Sequence, residues 1–489
     1  MMASPVSKKG FQPRLIIHPF LGTRARPRCR FQSSTSTTTT RAPYYNEQAS
    51  TNKPLDTVPA RQDAPSVRAP LARLSTASIL RTLFLGAVFR SPVLFRPGFA
   101  VFEKIANSPS VWMNPDKNPL LRMIVYPLVY KQFCAGRDQA EIARTSAEVR
   151  RLGFSGVVLC YGKEVQVQGG TNDEFLGYNR NKVPALDAEV AQWEDGNIET
   201  LNMIAEGDWL GIKFTGAGTN ITKALMDGDA APERFVKAMD RICETAMSKG
   251  CRIWIDAEQQ VLQPAIDRWT FDLMRRYNKP LGRQALVYNT IQAYLKSARD
   301  KVQHQLELAQ SEGWRPAIKL VRGAYIANDV RSKIHDTKDD TDASYNGIVE
   351  DLLQGRFPAQ ANQMPEEIDL LLAGHNTRTI RAAARLATDL AAHRKLQVRP
   401  EFAQLQGMAD DIGCEIVQMA DQVRVHDRAA ASSFVPKVYK CLTRGSIQEC
   451  MQYLTRRLVE NRGAGDRMKL SAAEYRHELL RRWGLSWNR

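Results

Sequence analysis

The stretch PERFVKAMDRICETAMSKGCRIWIDAE, residues 232–258, decides the fold. Its first part, Pro232 to Lys249, sets Phe235, Met239, Ile242 and Ala246 three or four residues apart, the spacing of one apolar helix face. Gly250 stands where a helix commonly ends in a left-handed residue. Arg252 to Ala257 then reads as a strand without strict polar alternation, as expected of one buried on both faces. Asp256 and Glu258 close the unit where the chain leaves that strand.

Working outward, seven more strand-like runs alternate with helical periodicity: Gly153 to Tyr161, Leu210 to Thr215, Ala285 to Gln292, Ala317 to Tyr325, Asp369 to His375, Glu401 to Gly407 and Val435 to Lys440. Strand, helix, strand repeated in this way implies parallel pairing. Eight strands in about 290 residues favour a closed (β/α)8 barrel of TIM type over an open doubly wound sheet. No Gly-x-Gly-x-x-Gly follows the first strand, so a dinucleotide fold of the usual kind has no support. The expectation is an α/β barrel with an N-terminal helical extension.

The chain has 489 residues, 43% of them hydrophobic, and a formal charge of +16. Eight of its lysines and arginines lie in residues 1–46, before the first acid at Glu47, in a stretch rich in Ser and Thr. That is the composition of a mitochondrial transit peptide. The concentration of charge there also weakens a nucleic-acid-binding reading, since nothing nearby interleaves aromatic and basic residues. Residues 47–75, with Pro54, Pro59, Pro65 and Pro70, read as a disordered linker. The expected order is then a helical region at 76–140, the barrel at 141–470 and a helical tail at 471–489. Cysteines at 29, 134, 160, 243, 251, 414, 441 and 450 form no Cys-x-x-Cys pair. Neither a metal site nor a disulfide framework is expected, which suits a reducing compartment such as the matrix.

From Ser78 to Phe95 the residues Ile79, Leu80, Leu83, Phe84, Leu85, Val88 and Phe89 are punctuated by Arg81 and Arg90. The run is too interrupted for a spanning helix. A helix lying on a membrane and a helix packed on the main domain both account for it.

Parallel barrels gather chemistry at the C-terminal ends of their strands. Those ends are polar here: Lys213, Asp256 with Glu258, Gln292, then Lys319, Arg322 and Tyr325, then His375 with Asn376. One such residue alone is commonly a solvated loop residue; successive strands each supplying one make a stronger case. Near the chain's end, Tyr453 to Asn461 reads as a helix. Arg456 and Glu460 at i and i+4 make either an exposed ion pair or, with Arg457, part of an anion clamp, since guanidinium forks grip carboxylates bidentately.

These motifs in order, Asp-Ala-Glu-Gln at 256–259, Tyr-Asn-Thr-x-Gln-x-Tyr at 288–294, Lys-Leu-Val-Arg-Gly-Ala-Tyr at 319–325, His-Asn at 375–376, Leu-x-Gly-Met at 405–408 and Arg-Arg-x-x-Glu-Asn at 456–461, resemble the proline dehydrogenase family, eukaryotic mitochondrial form. The resemblance implies a distorted barrel holding FAD over its C-terminal mouth. It implies that Arg456 and Arg457 bind the substrate carboxylate, that Lys213, Tyr325, Leu405 and Cys441 line the substrate side, and that Asp256 sits beside them. On the cofactor side it implies Gln292 at the isoalloxazine ring, Lys319 near its reactive nitrogen, Arg322 at the pyrophosphate, His375 and Asn376 at the adenine half or phosphates, and Glu460 at a ribose hydroxyl.

The reaction so implied is oxidation of L-proline to Δ1-pyrroline-5-carboxylate, with a membrane quinone as acceptor on the matrix side of the inner membrane. One departure stands out. Where many members carry a tyrosine in Tyr-x-Pro-x-Gly, this chain has Cys441-Leu442-Thr443-Arg444-Gly445. Losing that ring suggests a pocket that admits 4-hydroxyproline, or, as the bland alternative, tolerated drift. A non-catalytic membrane-associated paralogue is a third reading, weakened by the retained Asp256, Lys319, Arg456, Arg457 and Glu460.

Overall fold

Strands buried along both faces build the barrel wall. The computed structural model describes residues 69–161, 183–279, 284–326, 328–357, 367–426, 434–460 and 464–485, and the side chains of 92, 183–186, 456–460 and 464–471 are outside that description. The expected leader therefore lies outside the described residues, as does the linker apart from its last seven residues.

Among the described residues nine strands form: β1 (Cys134–Gly136), β2 (Gly156–Cys160), β3 (Trp209–Ile212), β4 (Arg252–Ile255), β5 (Val287–Gln292), β6 (Ala317–Val321), β7 (Asp369–Ala373), β8 (Pro400–Leu405) and β9 (Lys437–Arg444). All eight expected strands are present as β2 to β9, each paired in parallel with the next. β9 pairs back onto β2, from Gly156 opposite Tyr439 to Cys160 opposite Thr443, and this closes the barrel. β9 runs four residues past its expected end because Thr443 and Arg444 also pair with β1, a short strand that periodicity did not reveal.

The helices are α1 (Thr76–Arg90), α2 (Pro92–Asn107), α3 (Pro119–Val125), α4 (Lys131–Phe133), α5 (Gln139–Arg151), α6 (Val183–Asn202), α7 (Thr219–Asp227), α8 (Glu233–Ser248), α9 (Gln263–Tyr277), α10 (Ala298–Glu312), α11 (Lys338–Gln354), α12 (Thr377–Ala392), α13 (Asp410–His426), α14 (Ile447–Glu460) and α15 (Ala464–Arg482). In α8, Phe235, Met239, Ile242 and Ala246 are the buried face, and Gly250 takes φ +65°, as the opening stretch requires.

Inward residues meet across the barrel, which strands that are not neighbours can do only through its interior. At the N-terminal end, Arg252 on β4 donates to Glu401 on β8 at 2.6 Å and to the Tyr439 hydroxyl on β9 at 2.7 Å, with its guanidinium 3.8 Å from the Trp209 ring. This buried cation is matched by a carboxylate and hydroxyls, as burial demands. It fills the end opposite the strand C-termini, and the polar strand ends lie at the other end.

The N-terminal region packs outside the barrel. α1 buries Ile79, Leu85 and Gly86, and Arg482 of α15 donates to the Leu74 carbonyl at 2.7 Å and to the Thr76 hydroxyl at 2.9 Å beside it. α2 places Ile105 and Ala106 against Ile447, Cys450 and Met451 of α14. Asp116 accepts from the backbone N–H groups of Ile447 and Gln448, capping α14 from outside.

Candidate active site

Counting two residues at a time along each strand leads to the mouth. Lys213 follows β3 by one residue, Asp256 follows β4 by one, Gln292 ends β5, Lys319 sits within β6, and Tyr325 lies in the loop after it. Four of them meet. Lys319 Nζ donates to Asp256 Oδ1 at 2.5 Å, Lys213 Nζ stands 3.8 Å from Asp256 Oδ2, and Lys213 donates to the Tyr325 hydroxyl at 2.8 Å. One carboxylate thus faces two ammonium groups in a part-buried setting, where charge interactions are stronger than in water.

Other residues hold these four in place. The Lys319 ammonium lies 3.7 Å from the centroid of the Trp254 ring, a cation–π contact from the same inward row as Asp256. Buried Glu258 accepts from the Thr215 backbone N–H at 3.2 Å and hydroxyl at 2.5 Å, tying the loop after β4 to the one after β3. Gln292 is buried and donates to the Glu258 carbonyl at 3.1 Å. Tyr294 donates its hydroxyl to Asp329, which also accepts from the Gln260 N–H at 2.8 Å, so three mouth loops are clasped around Tyr325. Burial pushes the Asp329 carboxyl above its usual range. Gly323, at φ +128°, lets the Tyr294 ring lie on the backbone where a Cβ would overlap it.

Cys441 on β9 faces Cys160 on β2 with their sulfurs 3.9 Å apart. Contact with Cys441, then burial, then the charge of Asp256 hold the Cys160 thiol well above its usual value, so it stays protonated beside the acid. Gly211 keeps this corner open, since a Cβ there would press on Cys160 and Trp254. Leu405 ends β8, and its N–H donates to His375 Nε2 at 3.0 Å, which fixes that imidazole by its unprotonated nitrogen.

Arg322 and Asn376, expected on the cofactor side, form a second group. Arg322 donates through Nε to Asp342 at 2.7 Å and through Nη2 to the Thr379 hydroxyl at 2.8 Å, with its guanidinium 4.6 Å from the Tyr345 ring centroid. Its Nη1 is buried and has no acceptor. Burial works against ionising Asp342, but hydrogen bonds from Lys338 and Arg322 outweigh it and hold the carboxyl below its usual range. Asn376 caps α12 by accepting from the Thr379 N–H at 3.2 Å. A guanidinium with a spare N–H beside a capped helix N-terminus suits a phosphate or pyrophosphate. These residues fit the phosphate half of a dinucleotide cofactor.

Arg456, Arg457 and Glu460 belong to α14, but their side chains lie outside the described residues. Sequence reading passed over Cys160, Gly211 and Trp254 as site residues. The period-two row was the available signal, since Gly211 and Trp254 each stand two before a residue already singled out.

The sequence profile of the family described as "Proline dehydrogenase" matches residues 142–469. "Probable proline dehydrogenase, mitochondrial" of Schizosaccharomyces pombe is 35% identical over 261 residues, 51% of this chain and 50% of that protein. "Proline dehydrogenase 1, mitochondrial" of Homo sapiens is 34% identical over 239 residues, 47% and 35% of the two chains. "Proline dehydrogenase 2, mitochondrial" of Arabidopsis thaliana is 28% identical over 404 residues, 74% and 79%. The chain thus spans half or less of the first two relatives' lengths. Among solved structures, proline utilization A from Bdellovibrio bacteriovorus inactivated by N-propargylglycine superposes with a TM-score of 0.57 at 18% identity, over 80% of this chain and 40% of that one, a likeness of fold.

Proposed function

The chain belongs to the proline dehydrogenase family, and from that membership we propose that it oxidises L-proline to Δ1-pyrroline-5-carboxylate with FAD as the hydride acceptor. The observation that carries the reading is the meeting of Lys213, Asp256, Lys319 and Tyr325 toward the C-terminal end of the barrel strands. Bound FAD supplies a two-electron acceptor, and the protein's task is to orient the ring, dock its acid group and exclude water.

In this reading Arg456 and Arg457 grip the substrate carboxylate, with Lys213, Tyr325, Leu405 and Cys441 around the ring. Hydride loss from ring carbon five requires a neutral ring nitrogen, and the cations Lys213 and Lys319 disfavour an extra proton there. Asp256 keeps those two ammonium groups together, so the field is fixed before substrate arrives. Gln292, Lys319, Arg322, His375, Asn376 and Glu460 would hold the cofactor, with the spare N–H of Arg322 toward its pyrophosphate. The electrons then pass to a membrane quinone, and we place the enzyme on the matrix side of the mitochondrial inner membrane, in line with the leader-like residues 1–46.

The test is one pair of spectra. Purified protein is yellow and bleaches when L-proline is added without oxygen; a yellow protein that L-proline leaves unbleached refutes the reading. Cys441 supports a second substrate, because its thiol lies beside Cys160 at the position where the family resemblance puts a tyrosine in many members. 4-Hydroxyproline is then turned over at well above about one hundredth of the proline rate, the scale of discrimination a pocket built for one ring achieves.

A further inference from the structure

Resting on the proposed hand-over of electrons to a membrane quinone, we infer that α1, α2 and residues 111–124 form one lipid-binding face that lies in the plane of an anionic bilayer. Ten of the 18 large apolar side chains that stand exposed among the described residues fall between Leu80 and Ile124. Val93 is 80% exposed, Trp112 82%, Leu120 72% and Met123 71%. This face reaches well past Ser78 to Phe95, the segment that periodicity marks.

Three features give it a lipid partner. First, residues 76–133 carry seven lysines and arginines against two acids. Arg90, Arg96, Lys104, Lys117 and Lys131 are exposed, whereas Asp116 is engaged in capping α14. Exposed apolar side chains rimmed by cations match the acyl and headgroup layers of an anionic membrane, whereas the core of a protein interface is depleted in lysine. Second, an exposed tryptophan beside cations is the side chain that favours the headgroup boundary. Third, the helices are anchored on their other sides. No single helix among the described residues is long and apolar enough to cross a membrane, and α1 and α2, which pass by length and composition only as a pair, meet at 105° across Ser91. Buried Ile79 and Leu85 hold α1 to the domain, and the Gln452 and Gln448 side chains of α14 donate to the carbonyls of Ala106 at 3.0 Å and Ser108 at 2.9 Å at the end of α2. Insertion across the bilayer would break those contacts, while lying on it breaks none.

The experiment floats the full chain with vesicles of phosphatidylcholine with and without phosphatidylglycerol. The protein should rise with the anionic vesicles, and lipids brominated in the upper acyl chain should quench a component of its fluorescence that Trp112→Phe removes. A Trp112→Ser, Leu120→Ser, Met123→Ser variant should lose vesicle partitioning at least about tenfold, while retaining flavin and its proline oxidation with a soluble dye. Alkaline carbonate should strip the protein from vesicles. Unimpaired flotation of the triple variant, or resistance to carbonate, overturns the in-plane face. So does a wild-type dimer that the triple substitution dissociates, since the occupant is then a second copy of the chain. Flotation needs no turnover: a chain that floats but leaves proline untouched refutes the catalytic reading alone, and one that oxidises proline but never floats refutes this one alone.

Discussion

Replacing Asp256 with Asn keeps shape and removes the charge between two ammonium groups. With an effective dielectric near 20, the pair at 2.5 Å gains about 6–7 kcal/mol and the pair at 3.8 Å about 4 kcal/mol of screened attraction. Most of that offsets desolvation, since the Lys319 and Lys213 side chains are only 6% and 12% exposed. Removing one partner of such a pair leaves the cost of an unmatched buried charge, about 3–5 kcal/mol. Urea unfolding at neutral pH should show that loss as a lower midpoint with an unchanged slope. The double variant Asp256→Asn, Lys319→Met removes the stranded cation as well, and should recover about 1–3 kcal/mol of it. Proline turnover, measured as kcat/KM, should fall about 100-fold in the single variant, because the lysines no longer hold their geometry. A single variant within about 0.5 kcal/mol of the parent, or a double variant no more stable than the single, would show that Asp256 does not organise this cluster.

Arg322→Met removes the guanidinium with the spare buried N–H, and flavin affinity should fall about 10- to 100-fold, read from the ratio of flavin to protein absorbance after dialysis; undiminished flavin content would place the pyrophosphate elsewhere. Gly323→Ala sets a methyl group against the Tyr294 ring at φ +128°, and should cost at least about 2 kcal/mol of stability and raise the KM for proline by displacing Tyr325; thermal unfolding and initial rates check it. Glu141, gripped by Arg137, has its carboxyl lowered to about 2. A depressed carboxylate adds stability that is fully present above its unfolded value near 4.5 and disappears as pH falls through about 2. Glu141→Gln should therefore weaken the fold at neutral pH and bring its stability closer to that of the parent in strong acid, which parallel urea titrations at the two pH values would reveal.

The strands and the parallel barrel were legible because their signal is local. A run apolar on both faces, followed by a helix with a 3.6-residue stripe, needs only neighbouring residues to declare itself, as Pro232 to Glu258 does. The positions of Lys213, Asp256 and Gln292 at strand ends were legible for the same reason, whereas Lys319 lies in the middle of β6 and Tyr325 in the loop after it; the order of motifs supplied the family. β1 was not, because a strand of three residues has no period to read and forms only where β9 offers it an edge.

Closure was decided by tertiary structure. Cys160 and Cys441 are 281 residues apart, and they touch because the first and last barrel strands pair. No local pattern encodes that partnership. The same holds for Asp256 choosing Lys319 from β6, for the guanidinium of Arg252 finding Glu401, and for α2 settling on the helix that carries Arg456 and Arg457. Sequence by itself determined which faces had to be buried and which residues stood at strand ends. Folding decided which of those residues meet, because a charged or apolar side chain is matched by whatever the closed barrel brings within a few ångströms, however distant along the chain.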